Sequence, residues 1–326
     1  MEHVPSHRFE YIDFCKVFAM FLVTWAHCAQ QLNGNNFPVL LISKDSFISF
    51  NMAAFMIASG FVMNISKIRD TPFCEFFYSK VIRLLVPMTI WFLFLSATVY
   101  PKHLDYWSVY WYLSSMFVCF VTIKIMTYLT SSQLILCLSS IIVLTLIPLQ
   151  CFEKTCYMIP FLWVGYALRY TINRIKTSFV VLLTVSFSIL YYYWDVRYSI
   201  YLSPFHFWEV NSNSLFSLVY RFCIGSVGGV AMISWIYISI EHYNIQWMKN
   251  IAHYGKYTLV FYTMSFVFNA LLAKIMWRVG YISTPGLLDV LSCCITILMM
   301  FLMFYFQKMI EKNKGLCMLV GVKYQP

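Results

Sequence analysis

Charge is scarce in this chain: 11% of its 326 residues are Asp, Glu, Lys or Arg, while 61% are hydrophobic. A soluble domain carries about twice that share of charge, so a water-soluble globule is excluded and a polytopic membrane protein is indicated. No stretch is long or polar enough to fold as a separate soluble domain, because apolar runs recur at intervals of roughly thirty residues along the whole chain. The eleven cysteines show neither a CxxC nor a Cys/His ligand spacing, and no metal is assigned. Internal repeats and low-complexity tracts are lacking as well, which leaves a transporter built from inverted halves without support. The first apolar run follows a short, mostly polar segment at 1–10 and lacks a small-residue cleavage site. It is therefore expected to stay as the first helix and not to leave as a signal peptide.

What is present is a series of apolar segments near the length needed to cross about 30 Å of hydrocarbon. They centre on residues 14–30, 46–66, 84–100, 107–127, 133–149, 156–170, 178–194, 215–240, 257–277 and 287–307, separated by turn chemistry such as Asn33-Gly34-Asn35-Asn36, Asp70-Thr71-Pro72 and Ser283-Thr284-Pro285-Gly286. The expected fold class is all-α: a polytopic bundle of about ten transmembrane helices with both termini cytoplasmic. It forms a single domain over 1–326, with a short polar segment at 1–10 and a tail at 311–326. With the N-terminus inside, sixteen Lys and Arg fall on the inner side and six on the outer, with Arg221 left within a span. The formal net charge of +10 then reads as anchoring toward anionic lipid. A nucleic-acid partner is not implied, since one continuous basic face is missing.

Ionisable groups within spans are the candidate site. Lys16 and His27 are eleven residues apart on the first helix, which places them about 20° apart in azimuth and about 16 Å apart along the axis. Asp13, one turn before Lys16, is positioned for an ion pair. Lys16 alone also fits an interfacial lysine that snorkels, and His27 alone fits an interhelical hydrogen bond. Lys80 and Arg83 open the third span as neighbours on one helix face, so with Lys16 they would gather three cations at the inner mouth. Such a set suits phosphates, although plain positive-inside anchoring explains it too. Thr24 and Ser59 are possible neighbours of the imidazole, or else bond a carbonyl of their own helix. Arg221 is a candidate for acceptor binding or for an oxyanion role, the alternative being a structural pair with Glu209 or Asp195. The aromatic stretch from Tyr191 to Trp208 reads as a sugar platform or as an interfacial belt. Gly225 and Gly229 read as a close-packing face, and Cys151 and Cys156 as a possible disulfide or as buried thiols.

These residues resemble a family. Lys16, ten intervening residues and His27 are similar to the Arg/Lys-X10-His motif of the acyltransferase-3 family, membrane-bound O-acyltransferases that act on bacterial surface glycans. The run Arg8 to Lys16 resembles the family's opening, Ser59-Gly60-Phe61 its second helix, and Lys80-x-x-Arg83-Leu84-Leu85-x-Pro87 its Arg-x-x-Arg element. Trp111-Tyr112-Leu113 and the run Gly255 to Tyr262 are similar to later segments. The resemblance runs from about residue 8 to about 312. Two positions depart from the pattern: Lys80 replaces the first Arg, and Ser265 stands where many members carry a second His.

The resemblance implies transfer of an acyl group, most often acetyl from acetyl-CoA, to a hydroxyl of a cell-surface or lipid-linked polysaccharide, in a multi-pass protein of the bacterial cytoplasmic membrane. Lys16, Lys80 and Arg83 would hold the phosphates and His27 would be catalytic, either as general base or as transient acyl carrier. Arg221 would contact the acceptor. The expected partners are a glycan or lipid-linked saccharide and the bilayer. The competing reading is a carrier or flippase of lipid-linked glycans, which has no evident use for phosphate-type cations aligned with one histidine.

Overall fold

Helix α1, Glu10–Leu32, is the hub of the bundle. Its first turn carries Glu10 and Asp13, where unpaired backbone N–H groups favour negative charge. At 23 residues it reaches about 34 Å, enough to cross the hydrocarbon. The structure, a computed structural model, describes residues 9–34, 42–98, 109–146, 153–195, 198, 212–282, 284–313 and 317. Among these residues no strand occurs.

After α1 come α2 (Ile42–Phe61), two short helices α3 (Ile65–Asp70) and α4 (Phe73–Lys80), a π-helical turn at Val81–Leu85, and α5 (Val86–Thr98). Then follow α6 (Trp111–Met126), α7 (Gln133–Leu146), α8 (Glu153–Thr171), α9 (Thr177–Tyr192) and α10 (Ser212–Tyr237). The chain closes with α11 (Gln246–Ala252), a 3-10 segment at His253–Tyr257, α12 (Thr258–Val279) and α13 (Pro285–Glu311). Local chemistry sets several of these ends. The Asn64 side chain accepts the Lys67 N–H at 2.9 Å to cap α3, and Pro285 opens α13, where a missing N–H does no harm.

Five stretches are long and apolar enough to cross a membrane: Glu10–Leu32, Phe73–Ala97, Ser214–His242, Gln246–Val279 and Pro285–Ile310. Shorter apolar helices, Ile48–Phe61, Trp111–Met126, Gln133–Leu146 and Thr177–Tyr192, accompany them. A helix stands at each of the ten apolar segments. The molecule is an all-helical, multi-pass membrane protein.

Helices α1, α2, α8 and α10 meet closely, and the tightest crossing is made by glycine. A Cβ on Gly60 would lie 1.8 Å from the Leu162 carbonyl oxygen, and a Cβ on Gly165 would lie 1.9 Å from that of Ile57. The backbones of α2 and α8 therefore touch reciprocally, the use of small residues expected where lipid provides no hydrophobic drive between helices. Gly225 and Gly229 bring α10 against Ala53, Ala54 and Ile57 of α2, which is the packing role their spacing suggested.

Not all the lysines and arginines remain available to a ligand. Lys124 is fully buried in α6, and its ammonium donates to the carbonyls of Arg69 at 2.9 Å and Thr71 at 2.6 Å. It thereby satisfies the open C-terminal end of α3. Arg69 reaches the Ser131 carbonyl at 3.1 Å, and Arg169 reaches that of Met63 at 3.2 Å. These three basic side chains tie together the segments that follow α2, α3 and α6.

Candidate functional site

The azimuth of Lys16 and His27 is decided by the opposite face of α1. Phe14, Phe18, Phe21 and Trp25 stack along one stripe, with ring centroids 5.6–6.3 Å apart, and Phe18 is exposed. On an α-helix this stripe lies about 160° from Lys16 and His27, so the imidazole is on the opposite face of α1. It packs there against Phe266 of α12, centroid to centroid 5.4 Å.

From Phe266 an aromatic wall continues. Tyr110 contacts Phe266 at 5.1 Å and Tyr262 at 6.2 Å, Tyr262 contacts Phe266 at 5.3 Å and Tyr112 at 5.6 Å, and Tyr112 contacts Phe55 of α2 at 5.7 Å. The Tyr110 hydroxyl donates to the Thr263 carbonyl at 3.3 Å, fastening the start of α6 to α12. With α5 packed on α12 and the π-turn packed on α6, helices α1, α2, α6, α5 and α12 form a ring of neighbours around the inward face of α1.

The cations gather at the end of this ring where α1 begins. Lys16 is 3.3 Å from Asp13, as the spacing suggested, and its side chain is 20% exposed. Arg83 is close enough for its charge to act on both Lys16 and Lys80, and Lys67 is close enough to act on Lys80. The Lys80 ammonium lies over the ring of Phe120 at 3.8 Å and that of Phe76 at 5.3 Å. Among the described residues Lys67, Lys80 and Arg83 form no ion pair. Like charges held together without carboxylates have the character of an anion site.

Lys80 and Arg83 do not sit on a simple α-helical face. The Val86 N–H bonds to the carbonyl of Val81, a π turn. Pro87 explains it: proline offers no N–H to the Arg83 carbonyl, and its ring crowds that oxygen, so the helix widens by a residue. Arg83 is thereby exposed while Lys80 is half-buried. Lys67 was not singled out from sequence, since twelve residues of chain, including the turn Asp70-Thr71-Pro72, separate it from Lys80. Only the folded chain brings the two charges close enough to act on one another.

Other candidates are placed differently. Thr24 and Ser59 donate to Met20 and Phe55 carbonyls, each at 2.9 Å, which is the own-helix alternative. Ser265 donates to the Tyr262 carbonyl at 2.8 Å. Arg221 is 2% exposed; its Nε donates to the Ser217 carbonyl at 3.1 Å, its guanidinium lies 5.5 Å from the Tyr157 ring, and the Tyr157 hydroxyl donates to its carbonyl at 3.2 Å. These contacts tie α8 to α10. From the aromatic stretch, Trp194 and Tyr198 pack on Tyr220 of α10, and Tyr198 also on Phe216. Glu209, Cys151 and residues 199–208 lie outside the described residues.

The family model of the acyltransferase-3 acyltransferase domain matches residues 9–305, and the chain belongs to that family of membrane acyltransferases. No curated protein and no solved structure matches the chain.

Proposed function

We propose that this protein transfers an acetyl group from acetyl-CoA to a hydroxyl of a cell-surface or lipid-linked polysaccharide in a bacterial cytoplasmic membrane, with ten membrane crossings and both termini inside. The observation that carries this reading is the gathering of Lys80 and Arg83, which form no ion pair among the described residues, beside the Asp13-paired Lys16 at one end of α1, with an imidazole farther along the same face of that helix. Lys16, Lys80 and Arg83 hold the donor's phosphates, Arg as a planar fork and Lys as point charges. His27 takes the proton from the attacking hydroxyl; as the ester C–O bond forms and the thioester C–S bond breaks, that proton passes to the departing thiolate. A neutral imidazole suits this role near neutral pH. Arg221 is left as a structural tie in this scheme.

The test is calorimetry with detergent-purified protein. Arg83→Gln is expected to weaken acetyl-CoA binding roughly tenfold or more, as loss of a charge-assisted phosphate contact does, and the loss should shrink as salt is raised. Wild-type protein that does not bind acetyl-CoA would end this reading.

The π turn gives a second expectation. Pro87→Ala restores the backbone donor and lets residues 81–85 return to α-helical register, which turns Arg83 away from Lys16. Acetyl-CoA affinity should fall roughly tenfold while the melting temperature holds or rises, because proline disfavours a helix interior. Unchanged affinity would show that the widened turn has no part in anion binding.

A further inference from the structure

Of the four cations gathered where α1 begins, Lys67 alone lies outside the recognised motifs. Its side chain is exposed, and among the described residues no carboxylate pairs with it. Helix α6 fixes its place. The Lys80 ammonium rests on the Phe120 ring of that helix at 3.8 Å, and one turn farther along Lys124 holds the Arg69 and Thr71 carbonyls. Thr71 in turn donates to the Lys67 carbonyl, from its hydroxyl at 2.7 Å and from its N–H at 3.1 Å. One face of α6 thus sets Lys80 and the last turn of α3 side by side. Lys67 acts on Lys80, and Arg83 on both Lys80 and Lys16, so the charges run as a linked row.

Distance from the imidazole divides that row into two levels. Helix α6 starts near His27, since Tyr110 packs on Phe266 and Phe266 on the imidazole, and it runs opposite to α1. Phe120 is ten residues from Tyr110 and Lys124 fourteen, about 15 and 21 Å along a helix. Lys80, held over Phe120, is therefore about as far from His27 as Lys16 is, and the last turn of α3 is about 6 Å beyond. A CoA thioester carries its phosphates at two places in the same order. Its diphosphate joins the pantetheine arm, and its 3′-phosphate sits on the ribose past the diphosphate, farther from the sulfur.

Resting on the acyl-CoA reading, we infer that Lys67 binds the 3′-phosphate of the donor's ribose, while Lys16, Lys80 and Arg83 take the diphosphate, so that Lys67 sets the preference for a CoA thioester over one lacking that phosphate. A phosphate monoester carries a charge of about −1.5 to −2 near neutral pH, which an ammonium meets as a point charge. Because Lys67 is exposed, solvent screens the contact and limits its worth to several-fold in affinity.

Acetyl-CoA and 3′-dephospho-acetyl-CoA are titrated by calorimetry, at low ionic strength, into wild type, Lys67→Gln and Lys67→Arg. Wild type should prefer acetyl-CoA by about three- to tenfold. Lys67→Gln should lose about that factor for acetyl-CoA and bind the dephosphorylated thioester within about twofold of wild type, while Lys67→Arg restores the preference. Equal weakening of both thioesters by Lys67→Gln, or weakening of neither, overturns the assignment while leaving the acyl-CoA reading in place, as does a wild type that binds the two equally. Failure of wild type to bind either thioester overturns both. An unchanged melting temperature controls for folding, since neither substitution touches the Asn64 cap on the Lys67 N–H.

Discussion

Replacement of His27 by Ala is expected to slow acetyl transfer by roughly 10²- to 10⁴-fold, the span of a positioned acid–base group, while acetyl-CoA binds within about twofold of wild type. The two effects separate because the imidazole is about 16 Å along α1 from Lys16, with the tyrosine wall between them. The measurement is single-turnover transfer of labelled acetyl to a glycan acceptor, run beside calorimetric titration of the donor. An undiminished rate would remove the imidazole from the chemistry. A parallel loss of binding and rate would mean that the ring serves to hold Phe266 and the helix that carries it.

Gly165→Val is expected to break the bundle. The first added carbon would stand 1.9 Å from the Ile57 carbonyl oxygen, and neither partner is a flexible side chain that can swing away. Overpacking in ordinary cores costs about 1–3 kcal/mol, and a backbone collision belongs at or beyond the top of that range. A loss of about 3 kcal/mol lowers an apparent melting temperature by about 6–12 °C in chains of a couple of hundred residues. Thermal unfolding in detergent measures it. Gly286→Ala is the control, since a Cβ there meets nothing within 4 Å. A wild-type melting temperature for Gly165→Val would mean that α2 and α8 are not in backbone contact.

Helical periodicity alone related Lys16 to His27, and an aromatic stripe occupies the opposite side of α1. The family resemblance likewise rested on short motifs that survive unaligned reading, and the matched domain covers nearly the range it implied. Tertiary satisfaction was not legible. Lys124 reads as one more inner cation, yet its ammonium is consumed by two carbonyls contributed by a turn more than fifty residues away. The spacing of Lys80 and Arg83 was read as α-helical, although Pro87, four residues after Arg83, carried the signal for a wider turn. Gly60 was visible within a motif, but nothing in the chain pairs it with Gly165, because a pairing of backbones leaves no residue pattern beyond the glycines themselves.

The reciprocal glycine contact has a mechanical corollary. Two helices joined main chain to main chain have no side chains between them to shear or repack, so α2 and α8 behave as one stiff girder. On the other side, α6 meets α2 and α12 through tilted and edge-on rings, which can pivot about their χ angles without tearing a hydrogen-bond ladder. Relative movement of helices is therefore resisted most at the α2–α8 crossing and less where α6 meets α2 and α12 through rings.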